Sequence, residues 1–135
     1  MTGFGYEKLP GMSHVVTRHV TATRKSDKSI FSDEKSARAA LASASLNNRI
    51  GVFIPLLQRP DNMRKLEIFR MGFNIGRAVV TRDGAGMVIR RRTRYLKVVT
   101  LIGPLDRLPR RIITAYPVTR AEARRTVAGW SQYNH

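Results

Sequence analysis

The chain of 135 residues contains no cysteine and few acidic side chains. Without cysteine it forms no disulfide, offers no thiolate nucleophile and has no cysteine-based zinc site. No apolar run approaches the roughly 20 residues that a membrane helix requires, and the N-terminus lacks the basic and apolar regions of a signal peptide. We therefore expect a single domain over residues 1–135, with a modest core that is stable in a reducing or an oxidising compartment.

The shortage of acid leaves a large positive charge. Asp and Glu number 9 against 25 Lys and Arg, 19 of them Arg, so the formal net charge is +16. The excess is concentrated in residues 77–125, which hold 13 basic and 3 acidic residues. The planar guanidinium suits bidentate contact with phosphate, so this composition favours a nucleic-acid partner. An acidic protein or an anionic membrane surface would also suit it.

Helical periodicity marks several segments after an irregular lead-in over residues 1–11. Ser13, Ser32 and Thr119 are candidate N-caps, and Thr119 with Glu122 forms a capping-box pattern. The predicted helices cover residues 12–20, 32–46 and 119–130, with a weaker helical prediction for residues 50–57.

Strand-like alternation occupies most of the remaining chain. It predicts strands over residues 65–71, 76–80, 87–92, 95–102 and 110–117, and Asp83-Gly84 is typical of a hairpin turn. The order of elements predicts an α+β fold in which the helices, the N-terminal ones included, pack on one side of an antiparallel sheet. The run Arg90-Arg91-Arg92-Thr93-Arg94 places basic side chains on both strand faces. It is a candidate RNA or DNA contact, or else a solvated strand or a patch for an acidic protein.

The strand over residues 110–117 is the first candidate for a functional surface. Alternation places Thr114 and Tyr116 on the face of Ile112, with Ile113 on the other face. If the Ile113 face is buried, the two hydroxyls form a wall suited to a phosphate-bearing site, with Arg110 or Arg111 near the strand entrance. The alternative is an ordinary strand with one polar face.

The second candidate is His19, which borders the apolar face of the first predicted helix. Imidazole is the side chain that exchanges protons near neutral pH, although a histidine in such a position can also be a hydrogen-bonded packing residue. His14 lies about 140° away around the helix, so the two imidazoles are not expected to converge on one bond. Their spacing also lacks the i, i+4 pattern of a metal site, and no carboxylate is adjacent.

The segment between His19 and the second helix is short, polar and basic. It carries Arg24, Lys25 and Lys28. It is either a solvated connection or a loop that contacts phosphate close to His19.

Two segments resemble a known family. Ser13-His14-Val15-Val16-Thr17-Arg18-His19-Val20 resembles the Gly-His-four residues-His-Val segment of bacterial RNase A-like toxin domains, and Thr114-Ala115-Tyr116-Pro117 is similar to the strand that closes them. Ser29-Ile30-Phe31 and Ile75-Gly76-Arg77 resemble intervening family segments. The resemblance spans residues 13–117 and leaves the C-terminal helix outside. Met12-Ser13 replaces the family's leading glycine pair, and the family's arginine after the histidine has no obvious equivalent.

The resemblance implies a metal-independent endoribonuclease without cofactor, with an RNase A-like fold that lacks disulfides. It implies that cleavage proceeds by attack of the RNA 2′-hydroxyl, leaving a 2′,3′-cyclic phosphate. Catalysis would be centred on His19, assisted by Thr114 and Tyr116. The expected substrate-binding residues are His14, Arg24, Lys25, Lys28 and Arg111.

The same resemblance implies a biological setting. Such domains are the toxic tips of contact-dependent growth inhibition proteins and other polymorphic toxins, delivered within a larger chain into the cytoplasm of a target bacterium. The expected partners are RNA, with tRNA as one candidate substrate, and an acidic immunity protein. We expect a monomer when free. The alternatives are a non-catalytic RNA-binding protein, with His19 a packing residue, and a basic structural protein that docks on an acidic partner.

Overall fold

The computed structural model describes residues 3–20, 28–55, 58–82 and 88–133, which form an α+β fold. The helices are a 3-10 helix (Tyr6–Lys8), α1 (Met12–His19), α2 (Glu34–Ser43) and α3 (Arg120–Tyr133). The strands are β1 (Ile30–Phe31), β2 (Arg49–Phe53), β3 (Met63–Arg70), β4 (Gly76–Arg82), β5 (Val88–Thr93), β6 (Tyr95–Ile102) and β7 (Pro109–Val118). No helix in these ranges is long and apolar enough to cross a membrane.

The strands form two antiparallel sheets where the sequence predicted one. The larger sheet has the order β2-β3-β6-β7, and the smaller has the order β1-β4-β5. Arg94 alone separates β5 from β6, so the chain passes from one sheet into the other within a single residue. The predicted antiparallel pairing of β4 with β5 is confirmed. The predicted Asp83-Gly84 turn lies outside the described residues.

The main core lies between the N-terminal helices and one face of the larger sheet. Val15 of α1 and Leu41 of α2 are fully buried there with Phe69, Val98 and Ala115 of the sheet. These are the apolar positions that the helical and strand periodicities predict, because each element turns one face toward the core.

The C-terminal helix packs on the opposite face of the larger sheet. Ala123 of α3 is buried against Ile68 and Val118, which point away from the main core because neighbours along a strand alternate. The expectation that all helices lie on one side of the sheet is therefore wrong. The larger sheet is therefore covered on both faces.

Several local predictions require correction. The helix predicted over residues 50–57 is wrong for its described part, residues 50–55, because β2 extends to Phe53 and pairs with β3, as suits β-branched and aromatic side chains. Asp33, and not Ser32, caps α2, its carboxylate accepting from the Ser36 amide at 2.6 Å. Gly11, and not Ser13, is the N-cap of α1. The lead-in over residues 1–11 includes the 3-10 helix.

Candidate active site

A β-bulge in β7 sets the directions of the predicted site residues. Val99 pairs with Thr114 while the next residue of β6, Thr100, pairs with Ile112, so Ile113 is an extra residue in β7. Ile112 and Ala115 are both buried, whereas Thr114 and Tyr116 are half-buried on the other face. The prediction that Ile112 shares a face with Thr114 is wrong, because the bulge interrupts the alternation. The prediction that the side chains of Thr114 and Tyr116 lie on the same face of the strand is confirmed.

His19 lies at the C-terminal end of α1, and the start of that helix is fixed to β7. The Ile112 amide donates to the Pro10 carbonyl at 2.8 Å. Gly11 has φ of 109°, and a Cβ at this position would collide with the Ile112 carbonyl oxygen, so the close approach requires glycine. Burial of Met12 and Val15 on the same helix then leaves His19 only 6% exposed beside the strand that carries Thr114.

Hydrogen bonds hold both nitrogens of the His19 ring. Nδ1 lies 2.7 Å from the Ser29 carbonyl oxygen, which can only accept, so Nδ1 carries the proton. Ser29 is itself fixed, since its hydroxyl accepts from the Val79 amide of β4 at 2.9 Å. In the neutral ring Nε2 is then an acceptor, and it lies 3.3 Å from Thr114 Oγ1. The lone pair of Nε2 therefore lies beside the Thr114 hydroxyl.

Tyr116 completes the enclosure of His19. The two rings are stacked, with centroids 5.0 Å apart and planes inclined by 24°. Lys97 Nζ of β6 lies 5.7 Å from the centroid of the Tyr116 ring and 4.0 Å from Glu122 Oε1 of α3. Side chains from α1, β6, β7 and α3 thus converge on one point of the molecule.

The surroundings lower the pKa of His19. Burial is the largest cause, and the positive charges of Lys28, His14 and Arg18 act in the same direction, while the hydrogen bond to the Ser29 carbonyl opposes them. A lowered pKa keeps the imidazole neutral at pH 7. His19 is therefore in the protonation state that a general base requires.

These residues form the wall of a cleft of about 580 Å³. Of the predicted site residues, His14, His19, Lys28, Thr114 and Tyr116 line it. His14 and His19 therefore line one cleft, while the expectation that their imidazoles do not converge on one bond stays a prediction.

Arg111 is the remaining predicted binding residue that the structure describes. It is exposed on β7 but is not among the residues that line the cleft. In the chain Arg111 comes before the bulge, and Ile112 separates it from Ile113 and Thr114, which line the cleft. Arg24 and Lys25 lie outside the described residues.

Three charged residues of the site were not predicted from the sequence. Arg18 and Glu122 line the cleft, and Lys97 contacts Tyr116. Glu122 was noted only as part of a capping box, and the Thr119 hydroxyl does accept from its amide at 3.0 Å. Its carboxylate reaches the cleft because α3 begins directly after β7. Lys97 contacts Tyr116 because the two residues are directly opposite each other in the pairing of β6 with β7. The sequence alone does not reveal this register.

Within the described residues, no three or more His, Asp or Glu side chains are grouped so that they could hold a metal ion. Comparisons of the chain with family models, with curated proteins and with solved structures find no match.

Proposed function

We propose that the chain is an endoribonuclease that cleaves RNA by transphosphorylation from the 2′-hydroxyl, without a metal ion. One observation carries the proposal. A buried imidazole is held in a single tautomer, with Nε2 beside a hydroxyl at 3.3 Å, in the wall of a cleft lined by Arg18 and Lys28. A positioned base beside cations is the arrangement that this reaction requires.

The first proton transfer is assigned to His19. Nε2 removes the proton of the 2′-hydroxyl, and the resulting oxygen attacks the adjacent phosphorus. The P–O5′ bond breaks, so the products are a 2′,3′-cyclic phosphate and a 5′-hydroxyl. Thr114, whose hydroxyl contacts Nε2 in the free site, holds the attacking hydroxyl or a phosphate oxygen beside the base.

The leaving 5′-oxygen must gain a proton. His14 and Tyr116 both line the cleft and carry an exchangeable proton. Comparison of His14→Ala with Tyr116→Phe distinguishes them, because the group that protonates the leaving oxygen gives the larger loss of cleavage rate.

Positive side chains would stabilise the charge that builds on the phosphoryl oxygens. Lys28 and Arg18 are the described Lys and Arg residues that line the cleft, so this role is assigned to them and not to Arg111. Lys97 is placed to act indirectly, since it lies over the Tyr116 ring.

The resemblance to RNase A-like toxin domains supports the same assignment. The positions matching its catalytic centre, His19, Thr114 and Tyr116, are in mutual contact through His19. On that resemblance we further propose a toxin delivered within a larger chain to the cytoplasm of a competing bacterium, and an acidic immunity protein that covers the cleft. A toxin of this kind should resist cloning unless its neighbouring gene is present.

A non-catalytic RNA-binding protein is the second candidate. The net charge of +16 favours it, because phosphate contacts supply affinity without catalysis. In that case His19 would be a packing residue.

The test is incubation of the purified protein with total RNA in excess EDTA, followed by characterisation of the fragment ends. We expect cleavage that persists under chelation, leaves cyclic phosphates and falls by about 10²- to 10⁴-fold in His19→Ala. Ser13→Ala is the matched control, since Ser13 is exposed on the same helix and does not line the cleft. A folded wild-type protein that binds RNA without cutting it would establish the second candidate instead.

A further inference from the structure

A second, larger cavity lies beside the candidate active site. It is a groove of about 900 Å³ at the junction of the two sheets and the start of α3. We call it the arginine groove, because seven of its lining residues are arginines: Arg70, Arg91, Arg92, Arg94, Arg120, Arg124 and Arg125. Glu122 is the one acidic residue among those that line it.

The fold brings these arginines together from distant parts of the chain. Thr93, between Arg92 and Arg94, donates its hydroxyl proton to the Val118 carbonyl at 2.7 Å, which ties the sheet junction to the end of β7. Helix α3 begins two residues after Val118, so its first turns carry arginines to the same groove. The partial positive charge of a helix N-terminus adds to theirs.

The groove arginines are not neutralised within the described part of the chain. All seven are exposed, and none of them takes part in an ion pair between described residues. By contrast, Arg38, Arg49 and Arg110 each bind a carboxylate. The cations gathered in the groove therefore remain available to an external anion.

The groove and the candidate active site are continuous. Val79 and Glu122 line both the arginine groove and the His19 cleft. A polyanion that extends from the cleft over these two residues enters the groove directly.

We propose that the arginine groove binds the sugar-phosphate backbone of single-stranded RNA that flanks the phosphate held in the His19 cleft. The inference rests on the proposed function for the identity of the bound strand. Guanidinium groups match phosphate oxygens in bidentate geometry, and Tyr95, which also lines the groove, offers a ring for base stacking. RNA is favoured over an acidic protein because the groove leads into a cleft with the chemistry for phosphodiester cleavage.

The groove makes RNA binding depend on the length of the strand. A dinucleotide reaches only the His19 cleft, whereas a longer strand also contacts the groove. Longer RNA should therefore bind more tightly, with a steeper dependence on salt, because each phosphate contact to a single strand contributes about 0.7 to the slope of log K against log salt.

The test measures binding of a fluorescein-labelled 12-nucleotide single-stranded RNA by fluorescence anisotropy. All proteins carry His19→Ala so that the probe is not cut. The groove variant adds Arg91→Gln, Arg94→Gln and Arg124→Gln. The control variant adds Arg59→Gln, Arg64→Gln and Arg107→Gln, which remove the same charge from exposed residues that do not line the groove or the cleft. Thermal unfolding verifies that each protein is folded.

We expect the groove variant to bind roughly tenfold more weakly or worse near 100 mM salt, with a salt slope smaller by about 2, while the control changes much less. Equal binding by the two variants overturns the inference and leaves an acidic protein as the ligand of the groove. Cleavage of the same RNA by the protein with intact His19 is measured in parallel. If it cuts RNA while the variants bind alike, only the groove inference fails; if it does not cut while the groove variant loses binding, only the proposed function fails.

Discussion

The molecule contains two clusters of charged groups that are built in opposite ways. Glu67 on β3 is fully buried, and side chains of the protein itself bind its carboxylate. Tyr6 donates its hydroxyl to Glu67, Arg49 Nη1 lies 2.9 Å from one carboxylate oxygen and Lys65 Nζ lies 3.5 Å from the other. Burial and the negative carboxylate raise the pKa of Tyr6, so its phenol stays protonated and remains a donor.

His19 is held differently, by uncharged groups. Its ring contacts a carbonyl oxygen and a hydroxyl, and neither is ionised. The adjoining arginine groove holds seven guanidinium groups and one carboxylate. The comparison indicates that the Glu67 cluster stabilises the fold, and it supports the proposal that the His19 cleft and the groove bind an external anion.

The largest expected effect on stability comes from breaking the Glu67 cluster. Glu67→Gln leaves two cations and a phenol without their carboxylate, so we expect the free energy of unfolding to fall by about 3 kcal/mol. Urea denaturation measures it. The matched control is Glu34→Gln, which also removes a carboxylate paired with an arginine, but at an exposed i, i+4 site, where the loss should be below about 1 kcal/mol. Equal losses at the two sites would contradict the distinction.

A smaller effect is expected in the cleft from loss of one hydroxyl. Thr114→Val keeps the shape of the side chain but removes the group beside His19 Nε2, so cleavage should slow by about tenfold, the equivalent of one hydrogen bond. Thr114→Ser should recover most of the rate, because it restores the hydroxyl. Initial rates on a labelled RNA test both. An unaltered rate in Thr114→Val would remove Thr114 from the mechanism.

The smallest effect is a pH dependence of stability. Burial lowers the pKa of His19 in the folded chain. At pH values between this lowered pKa and 6.5, His19 is therefore protonated in the unfolded chain and neutral in the folded chain. Stability should therefore fall as pH decreases through this window, with a His19 contribution of at most about 1.4 kcal/mol per pH unit. The pKa values of Asp33 and Asp106 are lowered from 3.8, so these two carboxylates change the pH dependence of stability only at more acidic pH. Urea titrations should show a shallower dependence in His19→Gln; an identical slope would contradict the account.

The fold was predictable from sequence wherever the hydrophobic period was long and regular. The first helix and the strands over β3 and β6 follow from such patterns. The segment over β2 did not, because a short apolar run fits a helix and a strand equally well. The division into two sheets depends on long-range pairing, and no local pattern encodes it.

The candidate site was predictable in part. Alternation brought Thr114 and Tyr116 together, and helical spacing placed His19 beside an apolar face. The bulge at Ile113 has no glycine or proline to mark it, so the burial of Ile112 could not be foreseen. Neither could the contribution of Glu122, because a capping box indicates where α3 begins and not which face of the sheet it covers.

The most direct test of the central distinction compares Glu67→Gln with His19→Gln in two measurements, the free energy of unfolding and the initial rate of RNA cleavage at a temperature where both are folded. The account predicts that Glu67→Gln loses about 3 kcal/mol of stability but still cleaves RNA, whereas His19→Gln loses about 1 kcal/mol but cleaves about 10²- to 10⁴-fold more slowly. A folded His19→Gln protein that cleaves at the wild-type rate, or a folded Glu67→Gln protein that does not cleave, would contradict it.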